Sequence, residues 1–172
     1  TVDVEIPLSG VQLWANGPYW SECNVGATKP EEYGYFFSWG DTVGYKKEGE
    51  NWKADDGSIV GFTFSPENCP IYGMGDSALR DAGYIDLAGN LVASHDAATA
   101  NFGAPWRMPT HTEFEELISN CDREWTTRDG VCGWLVKGKE SPYRSRSIFL
   151  PASGGGYGPS WYNATLDGYY WS

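Results

Sequence analysis

The chain has 172 residues, 41% hydrophobic and 20% charged, which suits one globular domain with a sizeable core. Its 12 basic and 23 acidic residues leave a net charge of −11, which argues against nucleic-acid phosphate and anionic membrane surfaces as partners. No apolar run reaches the roughly 18 residues of a membrane-spanning helix, so no membrane insertion is expected.

Thr1 opens directly on the alternating stretch Val2–Ile6, which predicts a strand and carries none of the charged and apolar regions of a secretory signal. After a turn at Ser9-Gly10, Val11–Ala15 predicts a second strand. Pro30-Glu31-Glu32 predicts one helical turn with Thr28 as its cap. Tyr35–Trp39 follows as a short aromatic strand. Residues 41 to 93 are rich in glycine, proline and charge, and read as a long insertion-like loop with one helical turn at Asp76–Ala82.

A short helix is expected over Asp96–Asn101, with Ser94 or His95 near its cap and Gly103 beyond its end. The strongest helix signal covers Pro109–Cys121. Thr110 and Glu113 form a capping box, and Phe114, Leu117, Ile118 and Cys121 recur at the spacing of one buried face. Glu124–Thr127, the turn Asp129-Gly130 and Val131–Val136 predict a hairpin, with a further strand at Ser147–Ala152. Ser153–Thr165 reads as a glycine-rich loop interleaved with aromatics, and the sequence closes on Gly168-Tyr169-Tyr170-Trp171-Ser172. The fold class is therefore α+β, a single domain over residues 1–172 with two main helices, short strands and long loops.

The four cysteines, Cys23, Cys69, Cys121 and Cys132, form no C-x-x-C pair, which disfavours a structural zinc site. They allow three full disulfide pairings, and buried free thiols stand as the alternative on even terms. His111 reads as an exposed residue of a helix's first turn and His95 as a cap-region residue. The cap and the helix dipole account for Glu113, Glu115 and Glu116 more simply than acid–base catalysis does. Asp55-Asp56-Gly57 lacks the alternating oxygen ligands of a calcium loop and reads as a polar turn, so no cofactor is expected, with calcium as the alternative that no motif supports. Gly154-Gly155-Gly156 lacks the Lys and Ser/Thr of a phosphate loop.

The remaining signal is the mixture of Gly, Ser, Tyr, Trp and Asn near the C-terminus. Tyr and Trp offer large contact area with few torsions to freeze, while Ser and Asn adapt their hydrogen bonds, as in an antibody paratope. Tyr157, Ser160, Trp161, Tyr162, Asn163 and Asp167 are the expected ligand contacts. Trp14, Trp39, Trp106 and Trp171 are expected in or near the core, with Tyr170 folding back onto it.

Four motifs carry a resemblance to a known family. They are Leu13-Trp14-Ala15 with Cys23–Ala27, Tyr33–Gly40, Asp96–Gly103 running into Trp106–Thr110 and Glu113-Phe114, and Phe149–Gly154 with Gly168–Ser172. Together they resemble the major paralogous domain first named in Fibrobacter and abundant in surface and secreted proteins of Bacteroidota. The box from Trp106 to Phe114 is also similar to one in formylglycine-generating enzymes. The resemblance implies a C-type-lectin-like fold of the formylglycine-generating type. It also implies a non-enzymatic receptor or adhesin domain that binds a protein or carbohydrate ligand. The setting implied is secreted, cell-surface or displayed on a phage. Relatives include the variable proteins of diversity-generating retroelements, and the stretch after Ser153 looks like such a diversified region. A purely structural surface domain is the alternative. A formylglycine-generating activity is disfavoured because no cysteine follows Cys132. Family members continue past the Tyr-Trp-Ser motif into further strands.

Overall fold

The computed structural model describes residues 10–172, so the strand expected at Val2–Ile6 lies outside the described residues. The fold is α+β, with short strands in small antiparallel sheets. β1 (Gly10–Gln12) pairs with β2 (Tyr19–Ser21). β3 (Tyr45–Glu48), β4 (Asn51–Ala54) and β5 (Val60–Phe62) form a meander. β6 (Cys121–Arg128), β7 (Val131–Gly138) and β8 (Ser147–Pro151) form a second. β9 (Gly155–Tyr157) and β10 (Ser160–Tyr162) make a separate hairpin. The helices are α1 (Asp76–Asp81), α2 (Ala97–Phe102) and α3 (His111–Asn120).

Local chemistry explains α3. The Thr110 hydroxyl accepts the Glu113 N–H at 3.2 Å, and the Glu113 carboxylate accepts the Thr110 N–H at 2.8 Å. Two otherwise orphaned donors are thereby satisfied. The Arg107 guanidinium grips the same carboxylate with bonds of 2.9 and 2.6 Å, a bidentate geometry that strengthens both. Leu117, Cys121, Leu13, Val136 and Ile148 then form one core cluster, with Phe114, Trp14 and Trp20 packed against it. Ile118 departs from the expected face and is 50% exposed. At 100° per residue it swings away from the stripe Phe114–Leu117–Cys121, and the sheet covers only that stripe.

α2 is capped by Asp96 rather than by Ser94 or His95. Its carboxylate accepts the Thr99 N–H at 2.9 Å, and its second oxygen accepts the Met108 N–H at 2.8 Å. Gly103 ends the helix with φ +80, a conformation that glycine adopts without strain. At Thr28–Glu32 the expected helical turn is a simple turn instead. The Glu32 carboxylate accepts the Thr28 and Lys29 N–H groups, so Thr28 donates rather than caps.

Residues 41–93 correct the sequence reading most. They are not a loop: Tyr45, Trp52 and Ala54 make a second core cluster with Phe36, Phe62 and Phe64 around it. Tyr45 stacks on Phe62 at 3.8 Å, and Phe64 meets Trp52 edge-on at 4.9 Å. A third cluster joins Ile71, Leu79 of α1 and Ile85. Tyr35–Trp39 is not a strand. It pairs once, Phe36 with Tyr45, because Gly34 and Gly40 turn the backbone at φ +73 and +78.

The four cysteines are free thiols. Cys121 faces Gly138 and Cys132 faces Thr127 at opposite ends of the β6–β7 ladder, about 20 Å apart along the strand and far beyond disulfide reach. Of the four motif tryptophans, Trp14, Trp39 and Trp106 are half-buried, whereas Trp171 is exposed on the surface. Its indole N–H still donates to the Phe37 carbonyl at 2.8 Å. Tyr170 does fold inward and donates to the Pro151 carbonyl at 2.9 Å.

Thr110→Ala should cost about 1 kcal/mol, read from the urea midpoint. Leu117→Ala should cost about 2 kcal/mol or more, while Ile118→Ala should cost well under about 1 kcal/mol. The hydrogen bonds from Arg107 hold the Glu113 carboxyl below its usual pKa. Its contribution is therefore complete above the unfolded-state value of about 4.3 and is lost as pH falls through the folded value. Glu113→Gln should flatten this acid loss in denaturation series run from pH 7 downwards.

Candidate functional site

The expected contacts gather on the β9–β10 hairpin and the turn that follows it. Gly158-Pro159 links the strands, setting Tyr157 opposite Ser160, Gly156 opposite Trp161 and Gly155 opposite Tyr162. Directly opposed side chains share a face, and successive ones alternate. Tyr157, Ser160 and Tyr162 therefore share one face, and Tyr157 is 74% exposed. Trp161 takes the other face. Its indole N–H donates to the Ser153 carbonyl at 2.7 Å, and its ring meets Tyr33 at 5.7 Å and Phe36 at 6.2 Å, both edge-on. Trp161 thus ties the hairpin down while remaining 39% exposed, as much as Tyr162.

Asn163 and Asp167 close the following turn. Asn163 has φ +54 and donates its side-chain N–H groups to Asp167 at 2.9 Å and to the Tyr169 hydroxyl at 3.1 Å. Tyr169 lies against Tyr162 at 5.5 Å, continuing the aromatic surface.

The stretch from Ser153 is therefore an anchored hairpin and turn, not a free loop. Phe64 and Gly158 exchange backbone hydrogen bonds at 2.9 and 2.7 Å, and Lys47 donates to the Pro159 carbonyl at 2.7 Å. On the other side, Gly154 donates to the Asp167 carbonyl and Thr165 to the Ala152 carbonyl. Gly156 is required by close approach, since a Cβ there would stand 2.4 Å from the Phe64 ring.

A cleft of about 1320 Å³, with no counterpart in the sequence motifs, runs from this hairpin across the molecule. Its lining includes Trp20, Tyr33, Phe37, Trp39, Phe64 and Trp106. Tyr157, Tyr162 and Tyr169 line it too, which joins the cleft to the hairpin surface. The closely spaced aromatics of Tyr33–Trp39 were the available signal, but their convergence with Trp20 and Trp106 is a tertiary event.

Arg107 and Glu113 form an ion pair in the cleft wall, and burial acts on three further lining groups. Burial, together with Glu22, Glu32 and Glu31, pushes the Cys23 thiol up. Burial raises the Tyr33 and Tyr170 hydroxyls. Outside the cleft, burial pushes the Cys121 thiol up to about 11, away from nucleophilic thiolate character. His95 stacks on Tyr84 at 3.8 Å with Nδ1 3.3 Å from the Gly40 carbonyl, and His111 pairs with Glu115 at 3.4 Å. No group of three His, Cys, Asp or Glu side chains is arranged to hold a metal among the described residues. No helix among the described residues is long and apolar enough to cross a membrane.

Comparison of the chain with protein-family models, curated proteins and solved structures finds no match.

Trp161→Phe keeps the ring but loses the bond to Ser153, and should lower stability by about 1 kcal/mol. Tyr157→Ala should stay within about 0.5 kcal/mol of the parent, as an exposed site does. Paired thermal melts of the two variants check this division of roles.

Proposed function

We propose that this chain is a non-enzymatic ligand-binding domain of the receptor or adhesin kind, built on a C-type-lectin-like fold. The observation that carries the reading is the outward face of Tyr157, Ser160 and Tyr162, held on a hairpin that is hydrogen-bonded to the scaffold on both sides. Such anchoring removes ordering entropy from the binding step, and rigid tyrosines bring large contact area at low further cost. Asn163 and Asp167 add polar groups at the end of this face. The largely aromatic lining of the adjoining cleft favours a ligand surface that stacks on rings, such as a sugar or a polar protein loop. The motif resemblance supports the fold and points to a secreted or surface setting. It also supports a variable protein of a diversity-generating retroelement, with diversified positions falling on this hairpin.

A screen against immobilised glycans and displayed extracellular proteins should yield a ligand. Tyr157→Ala and Tyr162→Ala should each then weaken binding by about 2 kcal/mol, a roughly thirtyfold rise in Kd, with the fold intact. Undiminished binding by both variants would move the site off the hairpin. A neighbouring reverse transcriptase and a near-copy of the 3′ coding segment would mark the surface as diversified, and their absence would leave a receptor of fixed specificity.

A further inference from the structure

We infer that β6 is a self-pairing edge, through which two copies of this chain join antiparallel strands in a single register centred on Trp125. Among the described residues β6 is the outermost strand of its sheet, bonded to β7 alone. It is long for an edge, and Asp122 to Trp125, Thr127 and Arg128 are all exposed.

The turn determines which backbone groups β6 offers. Asp129 and Gly130 have φ +47 and +83, the double left-handed conformation of a type I′ turn. Such a turn closes on a hydrogen-bonded pair, here Arg128 with Val131. Because bonded and non-bonded pairs alternate, Arg128, Thr126, Glu124 and Asp122 direct their backbone groups to β7. Thr127, Trp125 and Arg123 direct theirs to the open edge. The far side of β7 agrees with this parity. Cys132 accepts the Ala152 N–H and Gly138 donates to the Arg146 carbonyl, so the even-numbered residues of β7 face β8.

Two copies of β6 related by a two-fold axis can bond only where outward groups meet outward groups. Centring the pair on Arg123 sets two guanidinium groups together and places Asp122 against Glu124. Centring it on Glu124 opposes two carboxylates. Like charges directly opposite are unfavourable in a sheet. Centring it on Trp125 bonds Arg123 to Thr127 of the second copy, Trp125 to its own counterpart, and Thr127 to Arg123. It also sets each Asp122 opposite Arg128 of the other copy. Centring on Thr126 does bring Glu124 opposite Arg128, but it shortens the bonded overlap and places Trp125 opposite Thr127.

The side chains support the Trp125 register. Trp125 meets Trp134 on β7 edge-on at 5.3 Å, with the Arg123 guanidinium 5.8 Å from the Trp134 ring. Both tryptophans are exposed, at 43% and 41%, although the same sheet face continues into the buried Val136 and Ile148. Pairing on Trp125 would join two such couples into one aromatic strip across the two-fold axis. Arg128 contacts Glu31 at 3.5 Å with its side chain half exposed, which leaves guanidinium N–H groups to meet Asp122 of the second copy. Mixed charges on an edge strand ordinarily repel stray strands. Here their order selects one register. This proposal is independent of the ligand surface, and a dimer would present two such surfaces at once.

The test is sedimentation equilibrium on the full chain in reducing buffer, over a wide concentration range. The parent should show a reversible dimer. Asp122→Arg sets a cation opposite Arg128 and should raise the dimer Kd by about tenfold or more. Arg128→Asp alone should do the same. The double variant Asp122→Arg/Arg128→Asp should restore dimerisation, which neither misfolding nor an unrelated interface would do. Thermal melts check that each variant monomer stays folded, Arg128→Asp above all, since it removes the cation that pairs with the largely buried Glu31. A parent that stays monomeric throughout would overturn the proposal. So would a dimer indifferent to Asp122→Arg, or a double variant that fails to recover.

Discussion

The carboxylate of Asp96 is the joint on which the visible architecture turns. It is 3% exposed, and its two oxygens serve two segments. One oxygen caps α2 through Thr99, and the other captures the Met108 N–H. A buried carboxylate is tolerable only when its acceptor capacity is used, and backbone N–H donors use it well. The Thr99 hydroxyl adds a bond to the Trp106 carbonyl at 2.8 Å, so the strap from Trp106 to Thr110 is held against α2 along its length. Arg107 on that strap then grips Glu113, which belongs to the cap of α3. One run of polar contacts thus links α2, the strap and α3, and the strap forms part of the cleft wall.

The hairpin at the other side of the cleft depends on a different material. Its supports are backbone bonds to Phe64 and Asp167 and the contacts of the Trp161 ring with Tyr33 and Phe36. Trp161 reaches Phe36, which itself packs on the fully buried Trp52 at 5.1 Å. The β3–β5 sheet therefore acts as the foundation of this hairpin. Among the described residues, the exposed Tyr157 makes no ring contact with that foundation, whereas Trp161 meets Phe36 and a side chain at Gly156 would strike Phe64.

Legibility in the sequence followed the range of the interactions. The cap at Thr110 and Glu113, the turn at Asp129-Gly130 and the stop at Gly103 act within a few residues of themselves, so α3, the β6–β7 hairpin and the end of α2 could all be read directly. Ser94, His95 and Asp96 are adjacent, so the sequence does not separate them as caps of α2; the Thr99 and Met108 N–H groups together single out Asp96. The six candidate contacts were legible as a composition, and the structure does bring them to one hairpin and turn. Composition carries no information about face, so it could not separate Trp161 from Tyr157 and Tyr162.

By itself, then, the sequence determined the acidic charge, the α+β class, the main helix with its cap and the long hairpin. Each of these depends on neighbours along the chain or on totals. Tertiary structure alone decided that residues 45–62 form a sheet around Trp52, that Trp171 lies at the surface, that the cysteines stay apart and that a cleft opens beneath the hairpin. In those cases the stabilising contact joins residues far apart in sequence, as when Trp52 packs between Phe36 and Phe64. An aromatic side chain has the same hydrophobicity wherever it stands, and only the surface it meets determines whether it becomes core, anchor or exposed contact.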